Sequence, residues 1–345
     1  MQGVVVIAGH WNDPSTCAEA LPDGWLWTGD VGRLDDQSSL NLLDRSKDRV
    51  VSGGSAKPTT PQRANRTEAC RAGPAQCRPP VLRSILPTRH HRRAMSLPPP
   101  LTALHDLDAQ LAGSGYAVLD PASLARLAGV HADSMAAWQT HWDEMPADRY
   151  LLDGGRYRRR RHGCFIVEPD GGVRAVPNRA HWQPVEYNAL HGGLERWFEP
   201  MAPAIAADPA WARLLAALAA RAATLRGDPG ARWHVEAHPF RIDTTDGIGR
   251  PTPEGAHRDG VDLVVVVLVA RQGIKGGETR VFDARGPQGM RFTLADAWSA
   301  LLLDDERVIH ETTPIQPLEP GSNGHRDTLV LTFRSAGFQG PAAAS

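Results

Sequence analysis

Apolar residues follow one rhythm in the first half of the folded body and another in the second. "LTALHDLDAQLAG", from Leu101, has helical spacing and ends on glycine, and "GYAVLD" reads as a short strand. The pattern then predicts a helical stretch over about 121–143 and two further helices over 185–207 and 209–226. After that the period shortens. "WHVEAHPFRID", "DLVVVVLVA", "TRVFD", "LLLDDERVIH" and "DTLVLTFRS" are strand-like runs separated by turn residues. Helices followed by a block of antiparallel strands predict a mainly β fold, a sandwich or barrel with a helical layer packed on it.

Composition narrows the function. The chain has 345 residues and a formal net charge of −1, a balance that argues against nucleic acid or an anionic membrane as partner. Its longest apolar run, 261–270, is strand length and far short of a membrane span. The amino terminus lacks a basic flank and apolar run, so secretion is not expected. Cys17, Cys70, Cys77 and Cys164 have neither CxxC spacing nor the density of a disulfide scaffold, and a reduced, cytoplasmic protein is expected. Residues 57–100 are crowded with proline and arginine without apolar period, which predicts a disordered linker. The folded body is expected over 101–340, with Met95 as an alternative start of translation.

Four His-x-Asp triplets occur: His131/Asp133, His141/Asp143, His257/Asp259 and His325/Asp327. Side chains two apart share a face on a strand but diverge by about 200° on a helix. The first two triplets fall in helical sequence and are expected to be solvated or capping. His325/Asp327 opens a strand, but no histidine follows it. His257/Asp259 follows the turn "GRPTPEG", enters an apolar strand, and is followed by His310 at the end of another strand-like run. Two histidines and one carboxylate form the facial triad of non-haem Fe(II) oxygenases, which leaves three coordination positions open.

An oxygenase using 2-oxoglutarate also needs a buried cation for the cosubstrate's far carboxylate. Arginine suits this best, because its planar fork pairs both oxygens. Arg326 and Arg334 bracket a strand eight positions apart, so both should face the iron side, and either can serve.

At these residues the chain resembles a known family. "HRDGVDLVVVVLVARQGIKGGETRVFD", "RVIHETTPI" and "HRDTLVLTFR" are similar to 2-oxoglutarate/Fe(II) dioxygenases of the bacterial free-amino-acid hydroxylase group (isoleucine 4-hydroxylase type), as are "RYRRRRHGCF" and "PVEYNALHGGLERWFEP". The resemblance implies a double-stranded β-helix with iron on His257, Asp259 and His310, and 2-oxoglutarate on an arginine after the distal histidine, where Arg326 fits the spacing better than Arg334. It further implies hydroxylation of an unactivated C–H bond of a free L-amino acid with Fe(II), 2-oxoglutarate and O2, releasing succinate and CO2. The substrate-binding residues stay unassigned, as does the oligomeric state.

Residues 1–56 resemble a different family. Thr28-Gly29-Asp30, Asp44-Arg45-Ser46-Lys47-Asp48 and Ser52-Gly53-Gly54 match motifs of the adenylate-forming acyl-CoA synthetases. The phosphate loop and the lysine-bearing carboxy-terminal domain of that family are missing, so a non-functional fragment is expected.

Other features are expected to be structural. The arginine run at 156–161 reads as a solvated face or internal ion pairs, Gly276-Gly277 as a turn, and Trp182, Trp197, Trp211, Trp233 and Trp298 mainly as core. A non-catalytic β-barrel binding protein, or an oxygenase of peptides or carrier-bound amino acids, is the alternative.

Overall fold

The valine run after Asp262 becomes a strand apolar on both faces because it is buried between two layers. A computed structural model describes residues 30–34, 40–45, 97–188 and 190–341. At the amino terminus, β1 (Asp30–Leu34) and β2 (Leu40–Arg45) pair antiparallel. Most of the synthetase-like motif residues, the proline- and arginine-rich stretch up to residue 96, and Met95 lie outside the described residues.

The body has a large sheet in the order β3 (Tyr116–Leu119), β12 (Ala300–Asp304), β8 (Leu263–Gln272), β15 (His325–Arg334), β7 (Trp233–Asp243), β5 (Gly163–Val167) and β6 (Val173–Ala175), with β4 (Arg158–Arg160) also paired to β7. A smaller sheet runs β11 (Gly289–Phe292), β10 (Thr279–Asp283), β13 (Val308–Thr312). Short strands β9 (Ile274–Gly276) and β14 (Ile315–Pro317) pair beside it. Strand alternation divides the large sheet cleanly. Trp233, Val235 and Ala237 of β7, with Leu329, Leu331 and Phe333 of β15, pack against helices. The even positions, among them Glu236, His238, Arg326 and Thr328, face inward and line a cavity. Val264, Leu268, Leu301 and Leu303 meet Val281, Phe292 and Val308 of the smaller sheet. This is the double-stranded β-helix with a helical layer expected above.

The helices are α1 (Leu107–Ser114), α2 (Pro121–Ala128), α3 (Ala132–Ala136), α4 (Pro203–Ala206) and α5 (Pro209–Arg226). Asp208 caps α5 by accepting from the Ala210 N–H, Pro209 occupies its first turn, and Gly227 ends it at φ 66°. Trp211, Leu214 and Leu218 press it onto the sheet. The stretch 121–143 is helical but broken at Gly129, and ends as a 3-10 turn over Ala137–Trp142. The helix expected over 185–207 does not form; only α4 does. Gly192, Gly193 and Pro200 interrupt that segment, and its apolar Val185, Leu194 and Trp197 are exposed rather than packed. Its backbone is instead satisfied locally, with the His191 N–H bonded to Asn188 Oδ1 and the His181 and Arg196 backbones paired. Among the tryptophans, Trp211, Trp233 and Trp298 are core, while Trp197 is exposed. No helix among the described residues is long and apolar enough to cross a membrane.

Candidate metal centre

The loop leading into β8 meets β13 through one antiparallel bridge. The His257 N–H donates to the His310 carbonyl, and the His310 N–H to that of His257, both at 3.0 Å. This sets the two imidazoles 4.6 Å apart. Asp259 lies between them, Oδ1 being 3.9 Å from His257 Nε2 and Oδ2 3.9 Å from His310 Nε2. Such separations are too long for hydrogen bonds and suit three donors sharing one cation. One donor atom from each residue lies within 4.8 Å of the others. His257 Nδ1 donates to the Gly255 carbonyl at 2.9 Å, which leaves the Nε2 lone pair facing the cluster. The residues therefore fit a divalent cation held by two imidazoles and a carboxylate, with further positions open.

The electrostatics of the cluster suit a cation. Burial pushes the Asp259 carboxyl up and, with His257 beside it, His310 well down. Burial works against a charged His257 as well, but Asp259 and Glu254 outweigh it and raise its pKa. Behind the cluster, Asp305 accepts the backbone N–H groups of Asp259 (3.0 Å), Gly260 (2.7 Å) and Val261 (3.1 Å). Burial and the neighbouring Asp259 push its carboxyl up to about 7. Gln183 Nε2 donates to Asp259 Oδ1 at 3.0 Å, and its Oε1 accepts from Asn188 Nδ2 and Arg196 Nη2, each at 3.0 Å.

Arg326 and Arg334 both line the cavity, as their even spacing requires. They differ in what they have left to offer. Arg334 is half-buried and donates to the Ala336 and Gly337 carbonyls. Arg326 is buried and makes no side-chain hydrogen bond or ion pair among the described residues. Burial and the nearby Arg271 lower its pKa to about 10, so it remains charged at neutral pH. Gly276 and Gly277, at φ 79° and 67°, form the turn beneath it; a Cβ on Gly277 would sit 3.7 Å from Arg326 Cδ.

A second group, His162, His181, Glu236 and His238, also has donor atoms within 4.8 Å of one another. It reads differently. Arg160 Nη2 lies 2.9 Å from His238 Nδ1. A guanidinium only donates, so Nδ1 accepts and the neutral ring carries its proton on Nε2, where a metal would have to bind. His181 Nδ1 donates to Glu236 Oε2 at 2.9 Å, and His162 and His238 Nε2 stand 3.7 Å from the same carboxylate. Burial opposes an ionised Glu236, but His181 and His162 outweigh it and hold its pKa well below the usual range. The group is a ring of imidazoles around one carboxylate.

The other triplets hold no such cluster. His131 and Asp133 are exposed at the start of α3, Asp143 pairs with Arg241, and Asp327 is committed to Arg241 at 2.7 Å. The arginine run divides between the two expectations: Arg156 pairs outward with Asp246, while Arg158 turns in to an internal ion pair with Asp148 and, with Arg160, lines the cavity. Sequence reading assigned no role to these two, nor to Gln183, Asn188 and Arg196. Alternate positions in a strand-length arginine run were the available signal for the first pair.

A family model described as 2OG-Fe dioxygenase matches residues 139–332. Among solved structures, a bsmA homolog from Methylobium petroleophilum PM1 is 55% identical, over 70% of this chain and 97% of that one, with a TM-score of 0.67. The structure described as IDO from Bacillus thuringiensis has a TM-score of 0.55 over 68% of this chain and 96% of that one, at 15% identity, a likeness of fold alone. Several curated proteins match a short segment. The long-chain-fatty-acid–CoA ligase of Bacillus subtilis is 43% identical over 54 residues, 16% of this chain and 10% of that protein. The 2-succinylbenzoate–CoA ligase of Geobacillus kaustophilus is 43% identical over 54 residues, 16% of this chain and 11% of that protein. The chain thus spans about a tenth of the length of these ligases.

Proposed function

Since this chain belongs to the 2OG-Fe dioxygenase family, whose members use Fe(II), 2-oxoglutarate and O2, we propose that it hydroxylates a small molecule, a free L-amino acid, at an unactivated carbon. One observation carries the reading. A three-donor cluster shaped for one cation and a buried Arg326, unpaired among the described residues, open into the same cavity. On this reading His257, Asp259 and His310 hold the iron, and Arg326 rather than Arg334 pairs the far carboxylate of 2-oxoglutarate. Bound iron supplies the oxidative decarboxylation of 2-oxoglutarate to succinate and CO2 that drives the hydroxylation.

The chain's own residues bind, orient and exclude water. Gln183 fixes Oδ1 of Asp259, the oxygen nearer His257, and leaves Oδ2 toward His310. Asp305 fixes the backbone that carries Asp259. The cavity wall carries both guanidinium and carboxylate groups, as a zwitterion needs. Residues 1–56 are proposed to be a fragment without activity of its own; tight ATP binding by the full chain would contradict this.

The test is succinate formation from 2-oxoglutarate with Fe(II) across a panel of free amino acids. Turnover stimulated by one amino acid, and lost in His257→Ala, is expected. Slow turnover that no amino acid stimulates would instead point to peptide or carrier-bound substrates. No turnover and no Fe(II) binding would leave a non-catalytic binding protein.

A further inference from the structure

One wall of the cavity carries more cationic groups than metal and cosubstrate require. Arg158 and Arg160 of β4 and Arg196 of the loop before α4 are each at most 5% exposed. Each is only partly satisfied. Arg158 Nε donates to Asp148 at 2.7 Å, and Arg196 Nη2 donates to Gln183 at 3.0 Å. Arg160 reaches His238 and is clamped between the rings of Phe198 and Phe240, 3.9 and 4.4 Å from their centroids. Among the described residues, Arg158 Nη2, Arg160 Nε and Arg196 Nε are buried without an acceptor. A single orphaned N–H is an ordinary defect, but three guanidiniums with orphans on one wall point to an acceptor that belongs there.

The charge of that wall defines the acceptor. The buried guanidiniums are three, and their buried carboxylates, Asp148 and Glu236, are two. Of the imidazoles among them, burial lowers His181 to about 3, His191 to about 4 and His238 further still, so these three add no charge at neutral pH. Glu254 also acts on Arg196, so the three guanidiniums face three carboxylates and the site suits a zwitterion, with a carboxylate for the guanidiniums and an ammonium for Glu254. Glu254, 3.5 Å from His257 Nε2, adds a carboxylate at the metal edge, where an ammonium beside the bound carboxylate finds its own acceptor.

We propose that Arg158 and Arg196 form a second anion subsite, separate from Arg326, that takes the carboxylate of the substrate. The inference rests on the hydroxylase reading given above and names the residues that orient the substrate within it. Arg160 and the Glu236 ring of imidazoles form the rigid backing of this subsite.

The experiment compares Arg158→Met and Arg196→Met with Arg326→Met in the full-length protein. Each is assayed for its KM toward the stimulating amino acid, its KM toward the cosubstrate, and its preference for the amino acid over the corresponding carboxamide. The first two variants should raise KM for the amino acid by roughly 30-fold or more, the scale for removing one partner of a buried ion pair, with KM for the cosubstrate within about 3-fold of wild type. Arg326→Met should do the reverse. The preference for carboxylate over carboxamide should collapse in Arg158→Met, a change that general loosening of the site does not produce. Wild-type preference in both variants would overturn the subsite. If no amino acid stimulates the wild type, the free-amino-acid reading falls by itself. The subsite is then read by thermal shift with propanoate and 2-hydroxypropanoate on protein saturated with Mn(II) and 2-oxoglutarate. Stabilisation of wild type but not of Arg158→Met upholds it; no stabilisation of either overturns it.

Discussion

His257 and His310 are locked to each other through the backbone, each N–H bonded to the other's carbonyl at 3.0 Å. The register of one bridge therefore decides whether two donor nitrogens meet, and a slip by a single residue would turn one imidazole away from the cavity.

Loss of a donor should be felt more than loss of its support. His257→Ala or His310→Ala is expected to abolish stoichiometric Co(II) binding, followed by visible absorption. Gln183→Ala, which frees an oxygen of Asp259, should weaken Co(II) by about 10–100-fold. Unchanged affinity in Gln183→Ala would show that the amide does not support the ligand.

The two arginines of β15 should separate kinetically. Arg326→Met is expected to raise KM for the cosubstrate by roughly 30-fold or more. Arg334→Met should leave it within about 3-fold, because the Arg334 guanidinium is engaged with the Ala336 and Gly337 carbonyls. Equal effects would mean that burial of Arg326 is not what selects it.

Asp305 should matter to stability and to metal together. Its carboxylate gathers three consecutive backbone N–H groups, and Asp305→Ala leaves them without that acceptor. A loss on the order of 3 kcal/mol is expected from urea unfolding, accompanied by weaker Co(II) binding. Stability lost with metal affinity intact would confine Asp305 to the fold.

Acid should destabilise the metal-free protein below about pH 6.5. Burial lowers His181 from 6.5 to about 3, His191 to about 4 and His238 below its ordinary range. As pH falls through 6.5 the unfolded chain takes up these protons before the folded one. Their contribution is therefore complete above 6.5 and is lost toward each folded pKa. Each histidine adds a slope of about 1.4 kcal/mol per pH unit in that window. Asp305, raised to about 7, and Asp259, also raised by burial, bind their protons first in the folded state and offset part of this loss, while His310, lowered by burial, adds to it. The urea midpoint is expected to drop between pH 7.5 and 5.5; a flat or rising midpoint would mean that these rings are not held neutral.

Much of the strand framework was legible in the sequence. The valines of β8 and the His-x-Asp at its mouth carry a period and a context that local chemistry dictates, and β15 displays its two arginines on one face for the same reason. The segment 177–202 was not legible. Its apolar residues recur at helical intervals, yet Gly192, Gly193 and Pro200 break the helix expected over 185–207, and the segment is held by long-range polar pairs such as Gln183 with Asp259. Such pairs have no sequence period. Arg158 and Arg160 were hidden differently, because burial of a charged residue depends on partners such as Asp148 that only the fold brings near.

The amide of Gln183 faces two ways at once. Its nitrogen is spent on Asp259 and its oxygen on Arg196 and Asn188. Turned over, it would set oxygen against carboxylate and N–H against guanidinium, so only one of its two orientations is compatible with both neighbours. The amide acts as a keyed joint between an irregular loop and the barrel. A loop threaded one residue out of place would lose the key, so polarity as well as apolar packing recognises the correct threading.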